Sequence, residues 1–206
     1  MTLFIRITLS LLALMLINGC STQPTPADKR QTHQTIEQRN DKLSQLNDWQ
    51  LEGKIAFIQS DKRQSASINW QHQQSSNRQT LDLTSYLGVN VLHLESNNNR
   101  HIIAFDGESY QGSNLEQLIY SITGLTLPTD ALSYWLKGLS YSINDTINYH
   151  FKSKLPSKIT SEYNNERWQI TYANYRQIND VQLATTFTIK RHDLLIKISI
   201  NKWTLL

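Results

Sequence analysis

The feature that most constrains the fold of this chain is a period of two in its apolar residues. Between Trp49 and Phe57 the odd positions are mainly apolar, and the even positions begin with polar residues that include Glu52 and Lys54. Strands with one face on a core and one in water show this alternation. It returns further along the chain, with apolar residues at Ala66, Ile68 and Trp70; Leu81 and Leu83; Leu92 and Leu94; Trp168, Ile170 and Tyr172; Phe187 and Ile189; and Leu194, Ile196, Ile198 and Ile200.

A turn signal indicates that neighbouring strands pair antiparallel. Asp106-Gly107 is typical of a two-residue hairpin turn, and it separates residues 102–105 from the segment around Tyr110. The chain is therefore predicted to be strand-rich and antiparallel.

Two short helices interrupt the strands. Ser113 and Glu116 have capping-box spacing, which predicts a helix that ends at Gly124. A second helix is predicted to start at Pro128-Thr129 and to end at Gly138. Each is about ten residues long and too short to be stable alone, so both must pack on the apolar face of the sheet. Their apolar positions are Leu115, Leu118, Ile119 and Ile122 in the first, and Leu132, Trp135 and Leu136 in the second.

A third helix is predicted within residues 27–48, where Ile36, Leu43 and Leu46 form a narrow apolar stripe. The predicted fold class is thus mainly β with inserted α-helices, as a strongly curved antiparallel sheet with helices on its concave side. Such a sheet encloses an apolar space. Whether residues such as Trp70 and Trp135 fill this space as core or line a cavity is left open by the sequence.

The N-terminus "LMLINGCSTQ" contains Cys20, which is the only cysteine. Arg6 followed by an apolar run of about eleven residues is typical of a secretory signal and is too short to span a bilayer. An intramolecular disulfide is excluded, and a buried core thiol is disfavoured by the position at a cleavage site. Residues 17–20 resemble a bacterial lipobox, in which the cysteine is lipidated, and Ser21 after it implies release to the outer membrane.

These observations predict three regions: a lipoprotein signal peptide at residues 1–19, a lipidated tether at residues 20–28 that contains Pro24 and Pro26, and a single domain at residues 29–206. The formal net charge of +3 is too weak to indicate nucleic-acid binding, and no Lys/Arg block is present.

A search for catalytic motifs favours a protein that is not an enzyme. The sequence contains no G-x-S-x-G, P-loop or G-x-G-x-x-G motif, and Asp106 and Glu108 fit a turn better than an acid/base pair. We expect no cofactor and no metal, because none of the histidines forms an H-x-x-x-H pair. The histidines are His33, His72, His93, His101, His150 and His192.

The stretch "LTSYLGVN", residues 83–90, joins two predicted strands and places Leu87 just before Gly88. A large apolar residue in a turn has no evident core role. Leu87 either folds back onto the sheet edge or is held out to contact a membrane or a partner.

Several stretches together resemble the LolB family of outer-membrane lipoproteins. They are the lipobox at Cys20, "WQLEGKIAF" from Trp49, "INWQ" from Ile68, "SYLG" from Ser85, "ITGLTLPTDALSYWLKGL" from Ile122, "RWQITY" from Arg167 and the final "ISINKW". The resemblance implies an open, strongly bent antiparallel β-barrel, lidded by helices, that encloses an apolar cavity for acyl chains. It departs from the family pattern at Tyr86, where proline is common, and in "DVQLATTF", which lacks a usual proline.

The resemblance also implies a function. The protein is expected to be a monomer held at the periplasmic face of the outer membrane through Cys20. It would take lipoproteins from a LolA-type periplasmic carrier, bind their acyl chains and insert them into the outer membrane without nucleotide hydrolysis. The implied insertion loop is Leu87 with Tyr86 and Gly88, and parity and helix face suggest a cavity lined by Trp70, Leu81, Ile103, Leu118, Ile119, Leu132, Trp135 and Leu136.

Two alternatives to this function remain open from the sequence. One is a generic lipid-binding or structural outer-membrane lipoprotein with a filled core. The other is a periplasmic hydrolase whose catalytic residues meet only in the fold.

Overall fold

The computed structural model describes residues 34–60 and 62–206, so Cys20 and the proposed signal and tether lie outside the described part. Eleven strands and three α-helices follow one another along this part. The strands are β1 (Asp48–Gln59), β2 (Lys62–Gln73), β3 (Arg78–Thr84), β4 (Asn90–Asn97), β5 (Arg100–Phe105), β6 (Glu108–Gly112), β7 (Thr146–Tyr149), β8 (Pro156–Tyr163), β9 (Glu166–Ile178), β10 (Val181–Arg191) and β11 (Leu194–Leu205). The helices are α1 (Ile36–Ser44), α2 (Leu115–Thr123) and α3 (Thr129–Trp135).

All strands form one antiparallel sheet in the order β6-β5-β4-β3-β2-β1-β11-β10-β9-β8-β7. Every neighbouring pair is a chain-consecutive hairpin or meander except β1 and β11, which join the two halves. The sheet is open, because β6 and β7 are its two edge strands. The expected mainly β, antiparallel and unclosed fold is confirmed.

The central pair β1–β11 approaches closely at a bulge. Its register shifts between Glu52 and Gly53, and a Cβ on Gly53 would lie 2.1 Å from the carbonyl oxygen of Ser199. Glycine is therefore required at this position of the sheet.

A contact between its two ends shows that the sheet is strongly bent. Helix α2 follows edge strand β6, yet the carboxylate of Glu116 accepts hydrogen bonds from Tyr163 Oη at 2.6 Å and Asn164 Nδ2 at 3.2 Å, at the β8–β9 turn. In a flat sheet β6 and β8 would lie roughly 43 Å apart, since nine strand spacings of about 4.8 Å separate them. Only a sheet that curls around its helices allows one side chain to bridge them.

The apolar interior consists of two clusters. The large cluster joins β1, β2 and β8–β11 with α1 and α3, and includes the fully buried Trp49, Trp135 and Trp168. The small cluster contains Leu94, Ile103, Leu115 and Leu118, which lie on β4, β5 and α2. Leu81 packs against both clusters, so the interior is continuous across β3.

Two details of the predicted helices are wrong. The N-cap of α2 is Asn114, whose side chain accepts from the Gln117 amide, and not Ser113, because Glu116 faces the β8–β9 turn and not a capping serine. The helix predicted within residues 27–48, α1, does not extend to the end of that range but ends at Ser44, since Asp48 already pairs with Gln73 in the sheet.

The other turn and stop signals are confirmed. Gly124 ends α2 with φ +70°. Gly138 follows α3 with φ +72° in a Schellman arrangement, in which its amide bonds the Trp135 carbonyl and the Leu139 amide bonds the Tyr134 carbonyl. Asp106 and Gly107 both have positive φ, as a tight two-residue hairpin requires.

Candidate functional site

The loop of residues 85–89, here the Leu87 loop, holds three apolar side chains out in water. The Ser85 amide donates to the Val89 carbonyl at 2.8 Å, and the Gly88 amide donates to the Ser85 carbonyl at 3.0 Å. Gly88 has φ +81°, a conformation in which glycine carries no steric cost. The backbone of the loop forms these hydrogen bonds within the loop itself. Its side chains are turned to solvent: Tyr86 is fully exposed, Leu87 is 84% exposed and Val89 is 61% exposed.

This geometry decides between the two interpretations of Leu87. Its side chain does not fold back onto the sheet edge but projects into solvent beside Tyr86. Apolar side chains exposed together are more common at contact surfaces than elsewhere on a soluble domain. The structure thus brings the predicted loop residues Tyr86, Leu87 and Gly88 together in one tight turn.

The residues predicted to line a cavity are placed in the two interior clusters. Trp70, Trp135 and Leu136 are buried members of the large cluster, and Leu132 packs against it. Ile103 and Leu118 belong to the small cluster, with Ile119 packed on it, while Leu81 contacts both. In this conformation these side chains pack as core. Trp135, for example, is fully buried with its ring centroid 5.9 Å from that of Trp168.

A polar cleft of about 410 Å³ lies between the start of α2 and the β8–β9 turn. The α2 N-terminus lines it with Asn114 and Glu116, and the β8–β9 turn lines it with Tyr163 and Asn164. Burial and the hydrogen bond to the Glu116 carboxylate raise the pKa of Tyr163 well above its ordinary value. Its hydroxyl therefore stays a hydrogen-bond donor at neutral pH and keeps α2 attached to the far half of the sheet.

Two buried cations, which the sequence patterns did not predict, connect α1 to α3 through hydrogen bonds. Arg39 Nη2 donates to the Lys137 carbonyl at 2.9 Å, just after α3, and Lys137 Nζ donates to the Leu46 carbonyl at 3.0 Å, just after α1. Each cation thus lies at the C-terminal end of the other helix, where the helix dipole favours positive charge. Burial lowers the pKa of both groups.

A sequence signal for Arg39 did exist. Ile36, Leu43 and Leu46 were predicted as one stripe, and Arg39 fills the missing position three residues after Ile36. The structure buries Arg39 and Leu43 and leaves Ile36 and Leu46 half-buried.

Two solved structures share the fold of this chain. The structure matches a LolA superfamily protein from Nitrosomonas europaea with a TM-score of 0.53 and 10% identity, over 84% of this chain and 94% of that one. It also matches a DUF1329 family protein from Desulfovibrio piger with a TM-score of 0.54 and 9% identity, over 81% of this chain and 89% of that one. The open sheet with inserted helices is therefore a fold that this chain shares with both proteins.

Sequence comparison then gives the family. The family model "Outer membrane lipoprotein LolB" matches residues 47–203. Proteins described as outer-membrane lipoprotein LolB are similar along nearly the whole chain: that of Aeromonas salmonicida is 33% identical over 100% of this chain and 99% of its own length. That of Psychromonas ingrahamii is 32% identical over 93% and 92%, respectively. The chain belongs to the LolB family of outer-membrane lipoproteins.

Family membership confirms the resemblance and the expected outer-membrane localisation. Attachment through Cys20 stays a prediction, because Cys20 with Pro24 and Pro26 lies outside the described residues. Within the described part, none of the helices combines the length and apolarity needed to cross a membrane.

Proposed function

We propose that this protein accepts lipoproteins from a LolA-type periplasmic carrier and inserts them into the outer membrane, to which Cys20 anchors it. The observation that carries the proposal is the Leu87 loop, which keeps Leu87 84% exposed on a hydrogen-bonded turn between β3 and β4. An apolar side chain held out in this way gains free energy when it enters an apolar phase, about 1.5–3 kcal/mol for a leucine.

Acyl chains would bind between the concave face of the sheet and helices α2 and α3. Because the candidate cavity residues pack as core in this conformation, chain entry requires α2 to separate from the sheet. The helix is suited to such movement, since it is short and its predicted inner face is only partly buried at Ile119 and Ile122. No nucleotide motif occurs in the sequence, so transfer would follow affinity, and each tenfold preference over the carrier needs about 1.4 kcal/mol.

A filled core favours a second candidate, a structural or general lipid-binding outer-membrane lipoprotein. The specific observation is the burial of Trp70, Trp135 and Leu136 within one packed cluster. The two functions differ in whether the protein removes a lipoprotein from a loaded carrier.

The test uses the mature chain from residue 20 with Cys20→Ala, with and without Leu87→Glu. We expect both forms to take a lipoprotein from a loaded carrier, because Leu87 lies outside the interior clusters. Insertion of that cargo into liposomes should fall at least tenfold with Leu87→Glu, since a carboxylate opposes entry into the bilayer.

Ile143→Glu is the matched control, because Ile143 is also an exposed apolar residue on a loop, with 100% exposure. Failure of the Cys20→Ala form to accept cargo would overturn the receptor role and favour the structural alternative. Equal insertion by the Leu87→Glu form would overturn the role of the loop alone.

A further inference from the structure

A second exposed apolar side chain lies on the connection between β7 and β8. Phe151 is 87% exposed, and it belongs to residues 150–154, here the Phe151 tip. The tip is held in one shape at its base, where the His150 amide donates to the Leu155 carbonyl and the Lys154 amide donates to the His150 carbonyl, both at 2.9 Å. Leu155, whose carbonyl accepts the first of these bonds, is buried, so the base of the tip is tied to the interior.

Lysines surround this phenylalanine. Lys152 and Lys154 flank it, Lys158 follows on β8, and residues 146–161 contain no aspartate or glutamate. The Nζ atom of Lys154 lies 5.1 Å from the centroid of the Phe151 ring. An aromatic ring with adjacent cations suits the interface of an anionic bilayer, where the ring enters the headgroup region and the cations meet lipid phosphates.

The position of the tip in the sheet supports a membrane as its partner. The β9–β10 turn lies at the same edge as the tip, and there the Asp180 carbonyl accepts a hydrogen bond from Gln34 Nε2 at 2.8 Å. Gln34 is fourteen residues after Cys20, which limits the distance from the anchor to at most about 50 Å.

We propose that the Phe151 tip is a second membrane-contact element, which docks this edge of the domain on an anionic phospholipid surface. The contact needs no cargo, so it goes beyond the transfer role proposed above.

The experiment measures binding of the mature Cys20→Ala chain to vesicles of phosphatidylcholine with 30% phosphatidylglycerol, in a Leu87→Ser background that removes the other contact. We expect Phe151→Ser to weaken binding about tenfold. Lys152→Gln with Lys154→Asn should weaken it about fivefold per lysine and abolish the preference over pure phosphatidylcholine. Asparagine is chosen at Lys154 because the backbone there has φ +57°, which asparagine tolerates.

Ile143→Ser is the control for general surface apolarity, since Ile143 is fully exposed and has no lysine within six residues along the chain except Lys137. Unchanged binding by the Phe151→Ser form, or an equal loss with Ile143→Ser, would overturn the proposal. So would a loss confined to carrier docking, which would assign the tip to an acidic protein partner. Insertion of cargo by the lipidated Phe151→Ser protein reports on the transfer role separately, because that role depends on Leu87.

A spin label at Ser153→Cys gives a second measurement in the lipidated protein, in which Cys20 leaves no free thiol. Reduced access of a water-soluble quencher on anionic vesicles, relative to neutral vesicles, is expected. Equal access on both would contradict a docked tip even if the other variants fail to fold.

Discussion

At the scale of single residues, Arg39 and Lys137 are buried cations whose side chains donate hydrogen bonds to backbone carbonyls. Arg39 is 4% exposed, and its Nε and Nη2 atoms also donate to the Gln182 carbonyl of β10, at 3.3 and 3.2 Å. One guanidinium therefore joins α1 to both α3 and the sheet. Gly138 makes room for it, because a Cβ there would lie 3.2 Å from Arg39 Nη2.

We expect Arg39→Met to lower the free energy of unfolding by about 2 kcal/mol, because it leaves the buried Lys137 carbonyl and the partly buried Gln182 carbonyl without this donor. Chemical denaturation of the mature Cys20→Ala chain measures this change. Asp41→Asn on the exposed side of α1 should leave stability unchanged. A more stable Arg39→Met protein would show instead that the cost of burying the cation exceeds the value of its hydrogen bonds.

At the scale of elements, the β3–β4 hairpin carries a titratable clamp below the Leu87 loop. Asp82 and His93 are cross-strand partners, and Asp82 Oδ1 lies 2.7 Å from His93 Nδ1. The hydrogen bond to Asp82 raises the pKa of His93 above its ordinary value of 6.5. The charged pair therefore supports the strands from which the loop projects.

Because the folded-state pKa of His93 is raised, the stabilisation is fully present below pH 6.5 and is lost as the pH rises through the folded-state pKa. An NMR titration of the His93 ring should show this raised pKa, and Asp82→Asn should lower it. Hydrogen exchange of the β3–β4 amides should be faster at pH 8 than at pH 6 after correction for the intrinsic rate. A native His93 pKa at or below 6.5 would contradict the clamp.

At the scale of the whole molecule, the Glu116 contact between α2 and the β8–β9 turn connects the two halves of the open, bent sheet. The contact spans the two halves of the sheet, and Leu81 packs against both interior clusters. Separation of α2 from the sheet would open the interior along this line.

Glu116→Ala is expected to increase hydrogen exchange across α2 at least tenfold, because it removes both hydrogen bonds to the β8–β9 turn. Binding of a fluorescent acyl probe should become faster in the same variant. Gln117→Ala is the matched control, since Gln117 is its exposed neighbour on the same helix. Unchanged exchange in α2 after Glu116→Ala would show that apolar packing alone holds the helix in place.

Local features of the fold were predictable from the sequence because their causes are local. Strand parity, the Asp106-Gly107 turn and the glycine stops at Gly124 and Gly138 each depend on residues a few positions apart. Leu87 could be singled out for the same reason, since an apolar residue before glycine in a turn is visible without the fold, but the sequence left open whether its side chain folds back or projects. The N-cap at Asn114 was missed because Ser113 offered an equally good local signal, and packing of Glu116 decided between them.

The sequence by itself therefore determined most strands through their parity, the two short helices, the mainly β class and, through several motifs in order, the family. The structure decided that Leu87 is exposed. Only the tertiary structure decided which ends of the chain pair, as in β1 with β11, and which polar side chains are buried, as with Arg39 and Lys137. It also decided that Trp70 and Trp135 pack as core in this conformation. The physical reason is that these outcomes depend on contacts between residues far apart in sequence, and the free energy of burying a side chain is set by its neighbours in space.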